Sequence, residues 1–153
     1  MIEAVLVMAT MVTLFVFSAV LADGWLQNAR ITQAQGVLQN AYGMTKTVAL
    51  QNPSVAVSGD GAAIACFSTT NPVIVTVYQG NSCSGSGTQS WIDKLPLGVS
   101  VTFNTQSFNC LGLTNDGVLI AQSSSGTNCS NSLSYTLSLT IKSNTKSVTS
   151  ILF

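Results

Sequence analysis

Apolar residues crowd the start of the chain and then settle into two different rhythms. The stretch "AVLVMATMVTLFVFSAVLA", residues 4–22, holds no charge, proline or glycine. At about 1.5 Å per residue, a helix of that length nearly spans a hydrocarbon layer of ~30 Å. After Gly24 and Trp25 the pattern turns amphipathic: Ile31, Ala34, Leu38, Ala41 and Val48 fall on one face, and Asn28, Arg30, Gln35, Gln39 and Lys46 fall elsewhere. Asn52-Pro53 ends the pattern, because the residue before proline is driven out of the α region and proline cannot donate to the helix ladder. The expected helix covers residues 2–51, with Gly24 as its weakest point.

Beyond Pro53 the apolar residues alternate or cluster in short β-branched runs: "SVAV", "AAIACF", "PVIVTVY", "GVSVTF", "GVLIA", "LSYTLSLTIK" and "SVTSILF". These predict strands. Between them stand "SGDG", "STTNP", "QGNSCSGSG" and "TNDG", rich in the residues that turns require. The last two runs, separated by "SNTK", predict a C-terminal hairpin. The expected fold class is α+β: a long N-terminal α-helix, an apolar anchor continuing as an amphipathic stem, packed on an antiparallel β-sheet head. The expected segments are 1–24 as the apolar helix, 25–52 as the amphipathic helix and 53–153 as a disulfide-bonded, β-rich head.

Charge narrows the function. Five Lys and Arg balance five Asp and Glu, and charged residues make up 7% of the chain, against about 25% in ordinary soluble domains. Ser, Thr, Asn, Gln and Gly carry the surface instead, and low charge favours self-association over repulsion. Arg30, Lys46, Lys94, Lys142 and Lys146 are scattered, which opposes a large nucleic-acid footprint. Only Lys142 and Lys146 lie close together, as a possible DNA contact or as two solvated residues beside a turn. With no His, no paired carboxylates and no Gly-rich phosphate loop, catalysis lacks its usual parts, so neither an enzyme nor a cofactor is expected.

Cys66, Cys83, Cys110 and Cys129 all follow the apolar segment. Their even number and polar surroundings predict two disulfides and an oxidising compartment. A zinc site is disfavoured, since there is no CxxC pair and no His. Four cysteines permit three pairings; Cys66–Cys83 with Cys110–Cys129 is preferred because each closes a short local loop. Asp60, Asp93 and Asp116 suit turn chemistry better than calcium, and Trp91 suits a core or edge anchor better than a ligand contact.

The opening "MIEAVLVMATMVTLFVFSAVLADGW" resembles the N-terminus of mature type IV pilins and type II secretion pseudopilins: an apolar pair, a glutamate, then a long apolar helix. "NARITQAQGVLQNAYGMTKTVALQN", "VSVTFNTQSFNCLGLTNDG" and "SLTIKSNTKSVTSILF" loosely resemble the H-type minor pseudopilin subgroup. An unpaired carboxylate beside apolar helices is costly to bury, so Glu3 calls for a partner. The resemblance implies that Glu3 of one subunit meets the amino group of Met1 of another. Leu6, Met8, Met11, Leu14, Phe15 and Phe17 would then pack in the filament core. It further implies a structural subunit of an extracellular pilus-like filament, with copies of itself and other pilins as partners and a single-pass stage in the inner membrane before assembly. Two alternatives remain open: a minor pilin binding DNA or a surface ligand at the filament tip, and a secretion pseudopilin.

Overall fold

The computed structural model describes the chain except residue 1 and the segments 84–86, 104–108, 122–128 and 142–143; the side chains of 2, 5, 15–23, 141 and 144 also lie outside the described set. One helix, α1 (Ile2–Gln51), precedes eight strands: β1 (Gly61–Phe67), β2 (Ile74–Gln79), β3 (Gln89–Lys94), β4 (Val99–Phe103), β5 (Cys110–Thr114), β6 (Leu119–Ile120), β7 (Ser134–Ile141) and β8 (Asn144–Ile151). The strands form two antiparallel sheets. The first, sheet A, has the order β3-β2-β1-β5-β6, and the second, sheet B, the order β4-β7-β8.

The helix is held by one stripe. Ile31, Ala34, Val37, Leu38, Ala41, Tyr42, Thr45, Val48 and Ala49 are buried, at the three- and four-residue steps that keep side chains on one face. Thr45 lies inside this stripe without penalty, because its hydroxyl donates to the Ala41 carbonyl at 2.7 Å. Sheet A answers with Ala63, Ala65, Val75, Val77, Leu111 and Leu113, all in the same core. Alanines at two of those positions, together with Ala34 and Ala41, bring helix and sheet close.

Sheet B supplies Val99, Phe103, Tyr135, Leu137 and Leu139 to that core. An aromatic seam joins the two sheets: the rings of Phe67 and Phe103 lie 5.4 Å apart and tilted, and Phe103 and Tyr135 lie 6.4 Å apart. Such tilted pairs place a ring edge toward a ring face. The other face of sheet B is polar, as strict alternation in β7 demands.

Asn52 closes the helix. It has φ of 44°, its backbone N–H donates to the Val48 and Ala49 carbonyls, and its amide brackets the next turn by donating to the Ala56 carbonyl and accepting from the Ala56 N–H. The motif Asn-Pro therefore ends α1 through an asparagine that tolerates positive φ.

The expected fold is corrected in three respects. The protein is mostly β, with two antiparallel sheets rather than an α+β lollipop with one head sheet. Among the described residues no helix is long and apolar enough to cross a membrane, so the reading of residues 1–24 as a membrane anchor falls. Residues 24–51 carry a polar face. Finally, "SVAV" is a loop, whereas β3 and β5 are strands that the pattern did not announce. β3 is a mixed run, Gln-Ser-Trp-Ile-Asp-Lys, and β5 contains a glycine.

Candidate functional site

Two surfaces stand out: the N-terminal turns of α1 and the face of sheet A turned away from the helix. In the first, Leu6, Val7, Met8, Met11, Val12 and Leu14 are all more than half exposed, from 55% at Val7 to 72% at Met8. At 3.6 residues per turn these six positions sweep about 240° of the helix circumference. Their apolar surface is therefore wider than a stripe for one neighbour: a collar over about two-thirds of the circumference, with Thr13 in the remaining third. Glu3 is exposed at the start of the helix, Met1 lies outside the described residues, and so do the side chains of Phe15 and Phe17. Gly24 continues the helix, and a Cβ there would meet nothing within 4 Å.

The second surface is built on disulfides. Cys66 bonds Cys83, and Cys110 bonds Cys129, which is the sequential pairing. Cys66 of β1 and Cys110 of β5 are register partners, so the two bridges rise side by side from neighbouring strands. Each closes a local loop, with sequence separations of 17 and 19. Together with Ile64 and Tyr78 they make a small second core on the outer face of sheet A. Two disulfides indicate a secreted or extracellular protein.

Beside this core lies a hollow of about 550 Å³, walled by Cys66, Cys83, Thr76, Tyr78, Gln89 and Ile92, with Ser68, Thr69 and Asn109 at one end. Its floor is the outward row of β2, where Ile74, Thr76 and Tyr78 alternate with the core residues Val75 and Val77. Ser68 fixes the rim: its hydroxyl accepts from the Ile74 N–H at 2.7 Å and pairs with the Thr70 hydroxyl at 2.7 Å. This hollow was not expected from the sequence. Tyr78 is visible there as an outward position of an alternating strand, but Gln89 and Ile92 belong to β3, whose pattern is mixed.

The basic pair is not brought together as a site. Lys142 lies outside the described residues, and the Lys146 ammonium donates to the Asn28 side-chain carbonyl of α1, tying β8 to the helix. Lys146 thus has a partner within the chain, at an exposed contact. Trp91 is half-buried and packs against the core from the edge strand β3. Asp116 accepts a hydrogen bond from Ser58 at 3.2 Å, Asp60 lies in the turn before β1, and Asp93 lies within β3 rather than in a turn. Among the described residues no group of His, Cys, Asp or Glu has the makings of a metal site.

Comparison of the chain with family models, with characterised proteins and with solved structures returned no match.

Proposed function

We propose that the chain is a structural subunit of an extracellular, type IV pilus-like filament, assembled by packing the N-terminal turns of α1 against those of other copies. The observation that carries this reading is the apolar collar. A helix with so wide an apolar arc exposes it to water unless it is enclosed, and about 240° of apolar surface is too wide for a single partner helix to cover. Several helices from several copies enclose it, and a head-to-tail repeat of that contact gives an open filament rather than a closed dimer. The near absence of charge favours the same outcome, since little electrostatic repulsion opposes close packing of identical chains. The resemblance of "MIEAVLVMATMVTLFVFSAVLADGW" to pilin N-termini supports the same reading from the sequence.

A DNA-binding role draws no support from the surface: the described member of its basic pair, Lys146, is engaged with Asn28. The separating experiment is negative-stain electron microscopy of the purified full chain beside the double variant Met11→Asp, Leu14→Asp. The wild-type chain forms fibres, and the variant, which places two carboxylates inside the collar, remains dispersed with an unchanged head by circular dichroism. Fibres of normal length from the variant reject helix packing as the basis of assembly.

A further inference from the structure

The hollow on the outer face of sheet A does not stop at the edge of that sheet. Phe67, Ser68, Thr69 and Asn109, at its end, also line a second hollow of about 190 Å³ whose far wall is Ser100 and Val101 of β4. The two hollows are neighbours with those four residues between them, and together they make a trench-like surface that extends from Tyr78 and Gln89 on sheet A to Ser100 on sheet B. The first alone lies within the ~300–1,000 Å³ typical of small-molecule sites.

The chemistry of the trench is selective. Among the described residues, none that lines either hollow carries a charge. A charged ligand would lose hydration there without gaining a counter-charge. A wholly apolar ligand would strip water from hydroxyl and amide groups and give them no partner. Thr69, Gln89 and Asn109 are exposed, and Tyr78 is half-buried, so three hydrogen-bonding side chains and one aromatic ring are reachable from solvent. Ile92, 51% exposed, adds apolar surface beside the ring. Beyond Ser100 the neutral surface continues in register: Ser100 pairs with Ser138 and Ser138 with Ser147, while Thr102 pairs with Thr136 and Thr136 with Thr149. These rows set hydroxyl side chains at the strand spacing of ~4.7–4.9 Å.

A ligand matching all of this is uncharged, rich in hydroxyls, elongated, and has C–H faces that can lie on an aromatic ring. We infer that the trench binds a linear neutral oligosaccharide, with Tyr78 as a stacking platform and Gln89, Thr69 and Asn109 as hydrogen-bonding partners to the sugar hydroxyls. The site lies on the side of sheet A opposite α1, and sugar binding there does not depend on whether copies assemble.

The test is isothermal titration calorimetry of the full chain with linear neutral hexasaccharides of glucose, galactose, mannose and N-acetylglucosamine, each beside a sulfated counterpart. At least one neutral hexasaccharide binds, its sulfated form binds more weakly, and affinity falls by about tenfold or more in the Gln89→Ala, Asn109→Ala double variant. Both of those side chains are exposed, so the variant keeps its melting temperature; Tyr78→Ala is the second, harsher variant. Absence of heat with every neutral hexasaccharide, a preference for the sulfated forms, or affinity untouched by both variants overturns the inference.

Discussion

Gly112 shows how a single residue position is dictated by what passes above it. It faces Ile120 across the β5–β6 pair, and a Cβ added at Gly112 would lie 2.4 Å from Cγ1 and 2.5 Å from Cδ1 of that isoleucine. Both are closer than carbon atoms can approach, so the side chain of Ile120 is displaced or the strands part. Gly112→Ala is expected to cost about 1–3 kcal/mol, the usual range for overpacking, read as a lower urea midpoint with unchanged slope. Stability equal to wild type would mean that Ile120 swings aside freely. In the sequence Gly112 looks like a strand breaker inside "NCLGLT"; only the neighbour across the ladder explains why glycine suits a strand here.

At the level of elements, β1 organises the head. It pairs with β2 on one side and β5 on the other, its inner residues face α1, and its outer residue Cys66 starts a disulfide next to Cys110. The bridges, with Ile64 and Tyr78, cover part of a face that strands alone would leave to solvent. Paired replacement Cys66→Ala, Cys83→Ala is expected to lower stability by about 3 kcal/mol, the loop-entropy value for a closed loop of roughly this length. Thermal unfolding with and without reductant checks it, because the reduced wild-type chain should show a comparable loss plus that of the second bridge. The alternation of β2, β4 and β7 is legible in the sequence, since each carries β-branched or apolar residues at period two, and β1 is legible as a short continuous apolar run, buried on both faces. β3 is not legible there, because as an edge strand it buries little and its residues satisfy no period. The run "SVAV" misleads for the opposite reason: Val55 is 82% exposed and Val57 68%, in a loop held by the side chain of Asn52 rather than by a ladder.

For the molecule as a whole, the two ends of α1 have opposite fates: the later turns disappear into the core, and the early turns carry bare apolar side chains. If assembly rests on those turns, raising ionic strength leaves fibres intact or promotes them, since apolar burial strengthens with salting-out ions and there is little charge to screen. Sedimentation of the polymer across a salt series measures this, and dissolution at high salt would assign the contact to ion pairs instead. The sequence by itself determined the amphipathic helix, its stop at Asn52-Pro53, most of the strands and the neutral surface, because periodicity, proline stereochemistry and charge content are local properties of the chain. Tertiary structure alone decided that the strands divide into two sheets joined by Phe67, Phe103 and Tyr135, that Lys146 turns to Asn28, and that a neutral trench opens beside the disulfides. Those features depend on which residues meet across long separations, and a one-dimensional pattern of apolar and polar positions carries no record of its partners.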